Sequence, residues 1–232
     1  MRTDARNNGE LRSVAVFDYD GTCINGQSGA LIALWLTKEG YLSMRTFAAL
    51  AWWGIRYKLH LPYRHEEARE LIFRDLGVRG QHQVEQIMQQ FHDEVLVPRY
   101  RPLAIDEIAL RKTEGCTTVL VSATFDAIAR RAAEYLGADG FVATAMETDE
   151  SGHYTGNVLG DVIEGDAKVL VTYRWADDHL GKGSWSLEYA YGDHHTDIEL
   201  LAAAHHPVAV SPGPTLKRAS RRNGWPIANW KS

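Results

Sequence analysis

Asp18 and Asp20 stand two residues apart at the end of an apolar run and are followed at once by Gly21 and Thr22. These residue types suit phosphoryl chemistry. A carboxylate is ionised at neutral pH and can attack phosphorus, giving an acyl phosphate that water later cleaves. A second carboxylate on the same side of the chain can protonate the departing alkoxide and then deprotonate the attacking water. Residues two apart in an extended segment share a face, so Asp18 reads as the nucleophile and Asp20 as the acid and base. By itself, an aspartate pair before glycine is an ordinary turn. Its significance depends on the elements around it.

Residues 13–17 read as a buried strand, short and rich in β-branched and aromatic side chains, closed by the turn-forming Asp20-Gly21 pair. Similar runs occur at 117–121 and 187–191, with a weaker one at 207–210. Helical patterns separate them. One repeats apolar residues at Ile128, Ala132 and Leu136 and stops at Gly137. This alternation predicts an α/β fold, a parallel sheet with helices on both faces. Ligands of such sheets bind outside the carboxyl ends of the strands. Ser122 ends the second strand at that edge, Asp193 follows the strand that closes at Gly192, and Asp197 lies close by in the loop or first helical turn.

The connection from 23 to 116 is too long for a single crossover helix. Within it, residues 31–36 form an apolar helical segment, and Val84, Ile87, Met88, Phe91 and Val95 recur on one helical face. A helical insert or lid is expected, with 1–24 and 105–232 forming the catalytic core and 25–104 the lid. A β-hairpin is expected at 147–156, around Asp149-Glu150-Ser151-Gly152.

The order Asp18-Tyr19-Asp20-Gly21-Thr22, Ser122, Lys168, then Gly192-Asp193 through Asp197 resembles the haloacid dehalogenase superfamily of phosphatases. The likeness spans nearly the whole chain. It is closest to the phosphoserine-phosphatase-like branch, whose helical cap follows the first motif. The resemblance implies a Rossmann-like core, and Mg2+ held by Asp18, Asp193 and the backbone carbonyl of Asp20, with Asp197 ordering the surrounding shell. It also implies that Ser122, Lys168, Gly21 and Ala123 surround the phosphate. Hard oxygen ligands suit magnesium, and positive charge is needed where the transferred group spreads its negative charge.

Three positions depart from that branch. Phosphoserine phosphatases carry acidic residues shortly after the first motif to hold the substrate ammonium, whereas this chain has Gly26 and Gln27. A neutral Gln27 cannot pair with an ammonium as a carboxylate would, so phosphoserine is expected to be a poor substrate. His194 stands where the related phosphatases often have serine, and Gln27 and His194 are the candidate substrate contacts. His194 and His195 also suggest a transition-metal site, but adjacent side chains are expected to point apart.

The 232 residues carry a formal charge of -5 and 45% hydrophobic content, enough for a sizeable core and no field for capturing nucleic acid. The partner expected is a small phosphorylated metabolite. Cys23 and Cys116 have neither metal nor redox spacing, and Cys23 reads as a small buried residue. The polar residues 1–13 lack the apolar centre of a secretory signal, and no apolar stretch reaches membrane-spanning length, so a cytoplasmic location is expected. Trp52-Trp53 beside Arg56 and Lys58 suits either the interior of the lid or peripheral contact with a membrane. The second option carries an alternative function, a lipid or lysolipid head-group phosphatase. A non-catalytic phosphate-binding protein on the same fold is a third. No sequence feature sets an oligomeric state.

Overall fold

The computed structural model describes residues 11–59, 61–64, 66–160 and 162–231; most of the polar N-terminal stretch lies outside them. Strand β1 (Arg12–Asp18) lies at the centre of a sheet because both its faces are apolar. Ala15 and Phe17 join one buried cluster, and Val14 and Val16 join another on the opposite face. That is why the run is continuously hydrophobic rather than alternating.

Between β1 and the next strand come α1 (Ser28–Lys38), α2 (Met44–Lys58), α3 (Glu67–Leu76), α4 (Gln81–Phe91) and α5 (Pro102–Thr113). After α4 the chain winds through a π turn, His92–Leu96. The wider turn shifts the helical face, so Leu96 is fully buried while Val95 is only partly so, a departure from the periodicity expected of that helix. Then follow β2 (Thr117–Phe125), α6 (Asp126–Leu136), β3 (Gly140–Thr148), β4 (Tyr154–Leu159) and α7 (Asp166–Leu180). The chain ends with β5 (Trp185–Gly192), α8 (Ile198–Ala203), β6 (His206–Val210), α9 (Pro214–Asn223) and β7 (Ile227–Ala228). Helix α6 stops where expected, with Gly137 in the left-handed region.

The sheet order is β4-β3-β2-β1-β5-β6-β7. All pairings are parallel except β3 with β4, the expected hairpin, which makes the sheet mixed. Asp149 builds its turn by accepting the N–H groups of Ser151 and His153. This hairpin also meets the helical insert. Phe73 of α3 packs edge-on against Tyr154 and Phe125, with ring centroids 4.7 and 4.6 Å away.

Strand β2 departs from expectation by running past Ser122 to Phe125. Ser122 pairs with Ala143 and Phe125 with Thr144, so Ala123 and Thr124 bulge out of the ladder. Bulges re-aim side chains at strand ends, and this one places Ala123 and Thr124 on the edge where β1 delivers Asp18.

Candidate active site

A cavity of about 480 Å³ opens at the carboxyl edge of β1, β2 and β5, between the sheet and helices α1 to α3. Asp18 is buried at its floor. Its Oδ1 accepts from Lys168 Nζ at 2.6 Å, and its Oδ2 accepts from Thr22 Oγ1 at 3.1 Å. Strand β1 ends at Asp18, so Asp20 reaches the cavity from a turn rather than by strand alternation. In that turn Cys23 N–H bonds the Tyr19 carbonyl, and the buried Cys23 thiol donates to the Asp18 carbonyl. Burial pushes the Cys23 thiol up, in keeping with a packing role.

The Asp20 carboxylate is held by α1, accepting Ser28 N at 2.6 Å and Ser28 Oγ at 2.9 Å. Ser28 Oγ also contacts Thr124 Oγ1 at 2.8 Å, tying the first motif to the β2 bulge. Ser122 is buried and its Oγ accepts Thr124 N. Lys168, in the first turn of α7, bridges Asp18 and Asp197 at 2.6 Å to each. The other Asp197 oxygen accepts His194 N at 3.0 Å. Asp193 Oδ1 lies 3.5 Å from Thr22 Oγ1.

Two glycines make this convergence possible. A Cβ on Gly21, whose φ is +80°, would stand 2.2 Å from Asp193 Oδ2, and one on Gly192 would stand 2.6 Å from Asp197 Cβ. Any side chain there would push an acidic group out of place.

The electrostatics follow from crowding. Burial, and then the charges of Asp197 and Asp193, raise Asp18 well above the carboxylate range, against the pull of Lys168. Burial and Asp197 push Asp193 up to about 7. Asp20 is raised by burial, partly offset by its bonds from Ser28. Burial opposes the Lys168 charge, but Asp18 and Asp197 outweigh it and hold the ammonium protonated. Ligand oxygens of Asp18, Asp193 and Asp197 lie within 4.8 Å of one another. Such a set of hard oxygens, carrying more negative charge than one lysine neutralises, fits a divalent cation of the magnesium type.

The sequence candidates Asp18, Asp20, Gln27, Ser122, Ala123, Lys168, Asp193, His194 and Asp197 all line the cavity, and Gly21 backs onto Asp193. The histidine pair differs from expectation. The His194 and His195 rings lie 4.0 Å apart, because His195 opens a 3-10 turn (His195–Asp197) that His194 caps, where strand alternation does not operate, and His194 Nδ1 contacts Thr196. Trp52 and Trp53 part company: Trp52 is 56% exposed, while Trp53 lines the cavity.

Sequence reasoning missed Arg69 and Glu164. Arg69 of α3 sends Nε and Nη2 to the Ala123 carbonyl at 3.2 and 2.6 Å, joining the insert to the bulge. Glu164 lines the cavity four residues before Lys168, a proximity in sequence that could have revealed it.

A family model of haloacid dehalogenase-like hydrolases matches residues 15–202. The chain belongs to that family, and within it to the phosphatases that hydrolyse phosphoric monoesters. Among similar proteins, a histidinol-phosphatase of Neisseria meningitidis is 24% identical over 95% of this chain and all of its own length. A phosphoserine phosphatase of Mycobacterium tuberculosis is 21% identical over 96% of this chain and 72% of its own. Among solved structures, a Bordetella pertussis protein of unknown function superposes with a TM-score of 0.85 at 26% identity, covering 95% of this chain and 100% of that one. A substrate-bound phosphoserine phosphatase shares the fold, with a TM-score of 0.59 at 20% identity over 97% of this chain and 95% of its own.

Proposed function

We propose that this chain is a magnesium-dependent phosphatase that takes the phosphoryl group of a small monoester onto Asp18 and passes it to water. The observation that carries the reading is the nucleophile's setting, with Asp18 fixed by Lys168 on one oxygen and Thr22 on the other beneath a cavity that Asp20 also lines. An Asp18 oxygen attacks phosphorus as the bond to the leaving oxygen breaks, and Asp20 supplies the proton that oxygen needs. Water then attacks the aspartyl phosphate, returning its proton to Asp20 and releasing phosphate and free Asp18. A raised Asp20 suits both roles, because burial makes the carboxyl hold its proton more readily than an exposed one while leaving it able to give that proton up and take one back. Ser122 and Lys168 present donors to the phosphate oxygens, with Gly21 and Ala123 as its backbone neighbours. Asp18, Asp193 and the carbonyl of Asp20 would hold Mg2+, and Asp197, already bonded to Lys168 and His194 N, would order the shell. When bound, the cation would supply positive charge that offsets the clustered carboxylates and the phosphate.

Residues 25–104 act as a lid on the core formed by 1–24 and 105–232. Arg69 ties the two, and closure keeps bulk water from the transfer. The substrate is a soluble metabolite, and histidinol phosphate is the first to try, given the Neisseria relative. With Gln27 where an ammonium partner would stand, phosphoserine ranks below the best substrate. A second reading, action on a lipid phosphate at a membrane surface, draws on the exposed Met44, Trp52, Ile55 and Leu59 of α2 and its flank. No helix among the described residues is long and apolar enough to cross a membrane.

Phosphate release from p-nitrophenyl phosphate and histidinol phosphate tests the mechanism. Asp18→Asn is expected to cut magnesium-dependent turnover more than about 10³-fold with the fold intact by circular dichroism. Comparable turnover by the variant would overturn it.

A further inference from the structure

The cavity is larger than a phosphate needs, and the part facing α2 and α3 differs from the acidic floor. Leu50, Trp53, Tyr57, Ile72 and Phe125 give it an apolar and largely aromatic wall. Trp53 and Tyr57 stack 5.5 Å apart at 16°, and the edge of Tyr63 braces both rings, with centroids at 5.8 and 5.3 Å. The Trp53 N–H is committed to the Arg64 carbonyl, which fixes the indole plane. Beside this wall stands Glu164, within electrostatic reach of Tyr57, Tyr63, Arg69 and His194.

Charge decides what the wall can accept. With Asp20 protonated as the acid, the lining carries four carboxylates, Asp18, Glu164, Asp193 and Asp197, against two permanent cations, Arg69 and Lys168. Lys168 lies between Asp18 and Asp197, and Arg69 directs two N–H groups at the Ala123 carbonyl. A divalent cation and a phosphate dianion cancel each other in net charge, so the filled site keeps its excess of negative charge. A second anionic group on the substrate would meet that excess, whereas a protonated nitrogen would relieve it. Such a nitrogen is further favoured over an aromatic face.

We propose that the wall is a leaving-group subsite selecting flat, compact alcohols or phenols that carry a protonated nitrogen, with Trp53 and Tyr57 supplying the face and Glu164 the counter-charge. The inference rests on the phosphatase reading and adds its substrate class. Glu164 supplies here the negative charge that the neutral Gln27 does not.

The test is a matched set of esters offered to the magnesium-loaded protein: 4-(2-aminoethyl)phenyl phosphate, 4-ethylphenyl phosphate and 3-(4-phosphonooxyphenyl)propanoate. They share ring and leaving oxygen and differ in a remote positive, neutral or negative group. The expected order of kcat/KM is cation over neutral over anion, with the cation about ten-fold above the neutral ester, a difference of about 1.4 kcal/mol. Glu164→Gln is expected to bring the cation-to-neutral ratio several-fold closer to one. A wild-type ratio near one, or an anionic ester used best, overturns the proposal whether or not the variant folds. A ratio unchanged in a folded variant, with all three esters slowed alike, assigns Glu164 to supporting Arg69 and overturns it too. The phosphatase reading fails separately, if none of the three is hydrolysed or if hydrolysis survives Asp18→Asn.

Discussion

Lys168 is the residue on which the charge balance of the site turns. Its ammonium sits 2.6 Å from Asp18 and 2.6 Å from Asp197, and all three side chains are buried. Removing one partner of a buried ion pair strands the other charge, so Asp18 without Lys168 would hold its proton more tightly and attack less readily. Lys168→Met is therefore expected to lower turnover about 10²- to 10³-fold, the usual loss for a donor to the reacting oxygens. Lys168→Arg should not restore it, since a planar guanidinium cannot occupy the same point between two carboxylates. Steady-state rates on p-nitrophenyl phosphate, with circular dichroism as the check on folding, measure both; wild-type rates in Lys168→Met would remove the lysine from the mechanism. At this scale Asp18, Asp20 and Asp193 were legible because each ends a strand or lies in the turn that follows one, and Asp197 through the order of motifs, whereas Glu164 was not. Ser28 and Thr124 were not, because a hydroxyl near a turn looks the same whether it caps a helix or bonds a carboxylate delivered from elsewhere.

Among the elements, β1 was readable from its continuous apolar run, β5 from the short aromatic-rich run that closes at Gly192, and α6 from its period and its glycine stop. The β2 bulge was not, since nothing in Ser122-Ala123-Thr124-Phe125 marks two residues leaving the ladder; the pairing with β3 does that. Helix α2 shows a different limit. Its apolar residues divide between a cavity side, with Leu50 and Trp53, and an exposed side, where Met44, Trp52 and Ile55 lead on to Leu59 beyond the helix end. No Asp or Glu occurs between residues 40 and 65, while Arg45, Arg56, Lys58 and Arg64 do, in a chain of net charge -5. Arg56 and Arg64 are paired with Glu67 and Glu70 of α3, which leaves Arg45 and Lys58 as the basic residues that could accompany the apolar stripe on an anionic bilayer surface. The lipid reading, and not the soluble-metabolite one, requires co-sedimentation with phosphatidylglycerol vesicles at low salt that is lost at high salt and in Trp52→Glu, because screening removes the electrostatic part. Wild-type protein that stays wholly in the supernatant at low salt would eliminate the lipid reading.

Across the whole molecule, one buried cluster runs from Phe17 of the sheet through Phe125 and Phe73 to Phe91 of the insert. Insert and sheet therefore share apolar burial, and a ligand at the carboxylates between them should stabilise the chain as a unit. The sign of its pH dependence follows from Asp193, pushed up to about 7 by burial and by Asp197. A carboxyl raised in the folded state stabilises the protein fully below its unfolded value of about 3.9, and that contribution is lost as pH rises through about 7. The raised Asp18 adds to the same trend. Metal-free protein thus loses stability at this site between about pH 5 and about pH 8. Magnesium needs the deprotonated carboxylates, so protons compete with it at the lower pH and it binds best at the higher. The rise in Tm on replacing EDTA with saturating Mg2+ is accordingly expected to be larger at about pH 8 than at about pH 5. Because the comparison is made at each pH separately, histidines elsewhere in the chain cancel. An equal rise at both pH values would mean that the cation is not held by the acidic groups whose crowding raises them, and the metal assignment to Asp18 and Asp193 would fall.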